Sequence, residues 1–380
     1  MTSPDAERRL LMVAPSAVPG GMEEIFFILT LNLAGYGIHP DVVSLQDGPL
    51  VDRFRRHGVP VRVIDAGRLR EPRPFGATVR ALAGQLDRGG YDAVFSNMAK
   101  AHLYVAPAAW RHGVPALWCQ AGYPAPAHWL DRIASVLPAR AVIALSSDAV
   151  EAQRRLSGDR CPVRTLHPGI DAARFPARPD PGLRAEHGIP PGAPLVSLVG
   201  RLQPWKGQRE FLRAAGELAV AHPEARFAIV GGAILGWEGD YPEELTALAT
   251  SLGLADRVIF TGHTDAVARW MAASDVVVNA SSLEPFGMVV IEAMAAGCAV
   301  VAVARGGPRD IIEPGRSGVL CPDNSPAALA SAIGPLIGDP ARRAQLGAAA
   351  RARVIERFSP ATMTEAFATI VADAVAAAAR

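Results

Sequence analysis

The chain has 380 residues, half of them hydrophobic, and a formal net charge of +1. That length suits two domains, each able to bury its own core. The balanced charge gives no global argument for nucleic acid or membrane, and no apolar run approaches the length that spans a bilayer. Arg8-Arg9 before Leu10–Ala14 imitates a secretory leader, but the apolar core is too short and reads as a first strand. The four cysteines, Cys119, Cys161, Cys298 and Cys321, are scattered without a C-x-x-C pair. Such spacing fits reduced, mostly buried thiols in a cytoplasmic protein, not zinc or a disulfide framework. Arginine is used nearly everywhere in place of lysine, a habit of high-GC bacteria, and the two lysines, Lys100 and Lys206, stand out against it.

In chain order, Leu10–Ala14 is a short apolar run ending at Pro15, as in a buried parallel strand. Gly20-Gly21 and an apolar helical stretch from Met22 to about Ala34 follow. Strand, glycine loop and helix make a Rossmann-like opening, although the G-x-G-x-x-G spacing of dinucleotide binders is absent. Paired glycines let a backbone lie close to a bound group at a helix mouth, or simply make a turn. Further strands are predicted at Asp41–Leu45, Ala93–Asn97, Ala116–Gln120 and Ala141–Leu145, the last ending at a Ser146-Ser147 helix cap. Residues 51–90 are rich in arginine, which reads either as a solvated face or as a peripheral contact with an anionic membrane or acceptor. A Pro-rich connector is expected over 173–194, between an N-terminal domain at 1–172 and a second domain at 195–358.

The second domain opens with the apolar strand Leu195–Val199, followed at once by Arg201 and by Trp205-Lys206-Gly207. In parallel sheets ligands bind outside the carboxyl ends of strands, so both cations lie where a diphosphate would be held. Strands follow at Arg226–Val230, Val258–Phe260, Asp275–Asn279 and Ala299–Val303, with Trp237, Glu238 and Asp240 in the loop after the first. Ser359-Pro360 reads as the start of an Ala-rich terminal helix, 359–380, with Pro at its first position.

The stretch Ser281–Cys298 organises the rest. Glu284 precedes a Pro and is biased away from helix, Gly287 permits a close backbone approach, and Met288–Ala296 has helical composition with Gly297 as its stop. Glu284 should therefore sit at a helix mouth and Glu292 one to two turns inside. The free N–H groups near Phe286, Gly287, Met288 and Val289 suit an anion, whereas a carboxylate beside them suits neutral hydroxyls. Together these groups suit a sugar nucleotide; the alternative is a capped helix whose two acids face solvent.

Glu-Pro-Phe-Gly-Met-Val-Val-Ile-Glu-Ala-Met closely resembles the E-x7-E signature of retaining glycosyltransferases of family 4 with the GT-B fold. Leu166–Asp171 resembles the family's segment at the end of its first domain. The resemblance implies an α/β architecture of two Rossmann-like, doubly wound parallel-sheet domains facing a cleft, with the terminal helix packed back on the first. It implies transfer of a hexosyl or N-acetylhexosaminyl group from a nucleotide-diphosphate sugar, most readily a UDP-sugar, to a small-molecule, glycan or lipid-linked acceptor. Arg201 and Lys206 would hold the diphosphate, Glu284 the sugar hydroxyls, Glu292 the ribose, and Gly20, Gly21, Gly262 and His263 would complete the donor site. No D-x-D, H-E-x-x-H or P-loop is present, so neither metal nor cofactor is expected. Relatives often carry His where this chain has Ala121; either His102 or His128 stands in for it or the contact is absent, and the acceptor-side candidates are Lys100, His102, Gln120, Tyr123 and His128. A catalytically silent sugar-nucleotide binder and a sugar-nucleotide epimerase of the same fold are the competing readings.

Overall fold

The computed structural model describes residues 7–18, 20–125, 128–177, 179–233 and 239–378. The chain divides into two compact units, one of residues 1–169 with 360–380, the other of residues 170–359.

The first unit is built on a seven-stranded sheet of β1 (Arg8–Ala14), β2 (Ile38–Ser44), β3 (Val61–Val63), β4 (Ala93–Asn97), β5 (Ala116–Gln120), β6 (Ala141–Ala144) and β7 (Val163–Thr165). All pairs are parallel, in the order β3-β2-β1-β4-β5-β6-β7. Leu10 to Ala14 of β1 are fully buried, as a central strand covered on both faces requires. Helix Gly21–Asn32 follows β1 directly. The Ser146 hydroxyl caps helix Ser147–Ser157 by accepting from the Ala149 N–H at 3.3 Å.

Helix Pro360–Ala378 belongs to this unit. It packs on helix Gly21–Asn32, its Phe367 meeting Phe95 edge-on at 4.9 Å, and Ala361 O accepts from the Tyr36 hydroxyl at 3.1 Å. The stretch Pro340–Ala378 contains an 18-residue window of mean hydropathy 1.3, enough by length and composition to cross a bilayer, contrary to the expectation from the sequence. Alanine gives that value without making a continuous apolar run; the stretch is two helices, and the second spends Met363, Phe367, Ile370 and Val371 on its own unit's core.

The second unit holds a six-stranded parallel sheet of β8 (Leu195–Val199), β9 (Arg226–Val230), β10 (Val258–Phe260), β11 (Val276–Asn279), β12 (Ala299–Val303) and β13 (Val319–Cys321), in the order β10-β9-β8-β11-β12-β13. Its core joins Val196, Leu198, Phe227, Ile229, Val276, Val278 and Val301 of the strands to Phe211, Leu245, Leu329 and Ile333 of the helices. The stretch expected as a plain connector has structure of its own. Helix Pro181–Glu186 packs on helix Val267–Ala273; Arg269 bonds Asp180 and Glu186, and Arg184 reaches the Ala273 carbonyl at 2.7 Å. Residues 170–194 thus fold with the second unit.

Strands β3, β7 and β13, unseen in the sequence, have three residues each and lie at sheet edges. Three residues display no period; β10, as short, was expected only because its three residues are an unbroken apolar run before Thr261-Gly262.

Candidate functional site

In each sheet the strand order reverses next to its first strand, between β1 and β4 in one and between β8 and β11 in the other. Such switch points open a crevice at the carboxyl ends of the strands. In the second unit the loop after β8 carries Arg201 and Lys206, and the loop after β11 carries Glu284.

Several contacts pull these two loops together. Residues Pro204–Lys206 form one turn of 3-10 helix, ended by Gly207 at φ +78°. A Cβ on Gly207 would lie 2.2 Å from the Ala280 carbonyl oxygen, so only glycine allows this approach. The Trp205 carbonyl accepts from the Ser282 N–H at 2.9 Å and from its hydroxyl at 3.3 Å. Lys206 Nζ, 4.1 Å from the centroid of the Trp205 ring, then reaches Glu284 Oε2 at 2.7 Å.

Glu284 is buried, and its two oxygens are treated differently. Oε2 accepts from Lys206 Nζ, from Asn279 Nδ2 at 3.1 Å and from the Ser281 hydroxyl at 2.8 Å. Oε1 has no partner among the described residues. One oxygen thus takes a cation and two neutral donors, and the open oxygen can accept further hydrogen bonds.

Arg201 is exposed, and its guanidinium has no partner among the described residues. Its backbone is held: Gln208 Nε2 donates to the Arg201 carbonyl at 2.8 Å, and Gln208 Oε1 accepts from the Tyr241 hydroxyl at 3.1 Å. Burial pushes the Tyr241 hydroxyl up to about 12, which keeps it a donor. The neighbouring loops are stitched to this one. Gly232 O accepts from the Leu202 N–H at 3.1 Å, and Gly262 bridges Gly231. His263 stands exposed beside Asp265 at 3.9 Å. Trp237 and Glu238 lie outside the described residues.

Helix Met288–Ala295 starts from Gly287 in the left-handed region, and no side chain caps it. Its first N–H groups are therefore available to an anion. Phe286 is buried edge-on against Phe358 at 6.0 Å, Met288 and Val289 are half-buried, and Glu292 is half-buried in the second turn.

In the first unit, Gly20 is the uncapped N-terminal neighbour of helix Gly21–Asn32. Lys100 is exposed in the first turn of helix Met98–Arg111, which begins at Met98 with φ +70°. His102 is different: fully buried, it stacks on Trp118 at 5.3 Å, and neither ring nitrogen has a partner among the described residues. Burial lowers it to about 3, so it is a neutral core side chain with no exposed ring atom to offer an acceptor. Gln120 is buried at the end of β5, Tyr123 packs against the apolar cluster that includes Trp118, and His128 is half-exposed with Nδ1 3.2 Å from Asp131.

Asn279, Ser281, Gln208 and Tyr241 were missed from the sequence. Asn279 and Ser281 had a visible signal, two polar residues at a strand end just before the first acid; Gln208 and Tyr241 are 33 residues apart and had none.

Residues 19–174 match the family described as Glycosyltransferase Family 4, and residues 180–353 match Glycosyl transferases group 1. The D-inositol 3-phosphate glycosyltransferase of Acidothermus cellulolyticus is 33% identical over 407 residues, covering 92% of this chain and 87% of that protein. D-inositol 3-phosphate glycosyltransferase 2 of Catenulispora acidiphila is 37% identical over 213 residues, which is 55% of this chain and only 50% of that relative's length. The crystal structure of HepE from Anabaena in complex with UDP and glucose superposes with a TM-score of 0.82 at 27% identity, covering 96% of this chain and 100% of that one. The paired parallel-sheet units, the Glu284–Glu292 stretch and these likenesses agree, and the chain belongs to the family 4, group 1 glycosyltransferases of GT-B fold.

Proposed function

We propose that this glycosyltransferase moves a hexosyl or N-acetylhexosaminyl group from a UDP-sugar to a hydroxyl of a phosphorylated polyol, without a metal and with retention of anomeric configuration. The observation that carries the reading is the joining of Lys206 to Glu284 at 2.7 Å, at the switch point of the second sheet, with one Glu284 oxygen left open. Lys206 spends one of its three N–H donors on Glu284 and keeps others for a phosphate oxygen. Arg201, exposed on the same loop, adds a planar fork that matches phosphate. The uncapped N–H groups at Met288 and Val289 add donors without a side chain. Glu284 Oε1 takes hydroxyls of the transferred sugar, and Glu292 takes the ribose. Gly262 and His263 take the base.

In the transfer, the bond from the anomeric carbon to the leaving phosphate oxygen breaks, and a bond to the acceptor oxygen forms on the same face. The acceptor's proton passes to the leaving phosphate. Charge grows on that phosphate, and cations already in place stabilise it without reorganisation. The UDP in the HepE structure and the inositol phosphate in the names of the relatives support the choice of donor and acceptor. On this reading the exposed Lys100, with Gln120, Tyr123 and His128, belongs to the acceptor side. Four unpaired thiols suit a reducing, cytoplasmic setting.

The test is direct. UDP-hexoses and UDP-N-acetylhexosamines are incubated with inositol phosphates, sugar phosphates and their unphosphorylated counterparts, with and without EDTA. Product linkage is read by NMR. An α-linked product from an α-linked donor, unaffected by EDTA, is expected. Inversion, EDTA sensitivity, or turnover of donor alone into its epimer overturns the corresponding part.

A further inference from the structure

We propose that Asn279 and Ser281 are positioning residues for the transfer, fixing Glu284 so that only Oε1 is presented to the donor sugar. The inference rests on the role given to Glu284 above. Three donors converge on one oxygen of this carboxylate: Lys206 Nζ at 2.7 Å, Asn279 Nδ2 at 3.1 Å and the Ser281 hydroxyl at 2.8 Å. Lysine alone cannot orient the group, because its ammonium is a compact charge on a flexible stem and binds a carboxylate from many directions. The hydroxyl and the amide are short-stemmed and buried, at 1% and 5% exposure, and they supply the direction. The amide is itself locked, since Asn279 Oδ1 accepts from the Ser281 N–H at 3.3 Å, which leaves Nδ2 as the group facing Glu284.

Packing does not ask for this arrangement. Asn279 ends β11, whose other residues, Val276 to Val278, are buried and apolar. Two buried polar side chains at that strand end are costly unless bonded, and here each spends a donor on the same carboxylate oxygen. The consequence is a fixed carboxylate plane. Sugar hydroxyls meeting Oε1 find their acceptor already oriented, so no binding energy is diverted to ordering it during the transfer.

The experiment uses the full-length protein with the best UDP-sugar, followed as UDP release over pH 5 to 9, and compares Ser281→Ala, Asn279→Asp and Glu284→Gln. Ser281→Ala is expected to lower kcat about ten-fold, the loss of one hydrogen bond to a charged group. Its KM is expected to change less, and its melting temperature by only a few degrees. Asn279→Asp sets a second carboxylate against Glu284; two acids sharing a site do not both ionise easily, so the acid limb of kcat should move up by about one pH unit or more. Should Ser281→Ala fail to fold, the pH profile of Asn279→Asp decides alone. Native kcat and pH profile in both variants, beside a disabled Glu284→Gln, overturn the positioning role while leaving the site intact. Full activity in Glu284→Gln overturns the reading of Glu284 itself.

Discussion

Gly306 lies against the backbone of Glu284: the two form a parallel bridge, and a Cβ on Gly306 would fall 1.9 Å from the Glu284 carbonyl oxygen. At φ +74° the position is also one that L side chains rarely adopt. The adjacent Gly307 N–H donates to the same carbonyl at 2.9 Å. The glycine pair after β12 therefore seats the loop that carries the first acid of the signature.

Gly306→Ala should displace that loop. The expected cost is on the order of 2–4 kcal/mol from strain and clash together, read as a lower urea midpoint with an unchanged slope. Transfer activity should fall even at temperatures where the variant stays folded, because Glu284 moves with its carbonyl.

Lys206 and Glu284 form a largely buried pair, with side chains 15% and 8% exposed. Removing one member of such a pair leaves the other uncompensated. Lys206→Met is expected to destabilise by on the order of 3 kcal/mol and to lower kcat about hundredfold. In Lys206→Met/Glu284→Gln the stability cost should be smaller than the sum of the two single costs by more than about 1 kcal/mol. Chemical denaturation of the four proteins checks it; strict additivity would mean the pair is not coupled.

His102 makes acid stability predictable. Burial lowers it to about 3, while an unfolded imidazole titrates near its ordinary value of 6.5. Between these values the unfolded chain binds the extra proton, so stability rises with pH there. The contribution is fully present above pH 6.5 and is lost progressively toward pH 3, about 2 kcal/mol of it between pH 7 and pH 5. His102→Phe, which also stacks on Trp118, should flatten that acid limb. Urea unfolding at pH 5 and pH 7 measures the difference.

The thiols should react in a set order. Burial pushes Cys119 and Cys298 up to about 12, with Asp275 adding to the effect at Cys298, and Cys321 is also buried and raised. Cys161 is half-buried and raised by the same cause. Since the thiolate is the reactive form, a thiol reagent in excess should modify Cys161 first in the native protein. The other three should follow only as fast as the protein opens. Peptide mapping after partial labelling gives the order.

Much of this molecule was legible in one dimension. Long apolar strands such as Leu10–Ala14 and Leu195–Val199 announce themselves because a parallel strand covered on both faces needs an unbroken hydrophobic run. Glu284, Glu292 and the cations after the second unit's first strand could be singled out for a related reason: they stand beside backbone that Gly and Pro punctuate, and such punctuation is visible in the sequence. Only the tertiary structure decided that the open cation of the pair is Arg201, that Lys206 is already bonded to Glu284, and that Asn279 and Ser281 aim at the same oxygen. It also buried His102, a residue whose place in the first turns of a helix says nothing about which way its ring faces. Strand and helix identity are written locally, in periodicity and punctuation. Which donor meets which acceptor depends on distances between segments far apart in the chain, and those exist only once strands such as β8 and β11, remote in sequence, lie side by side.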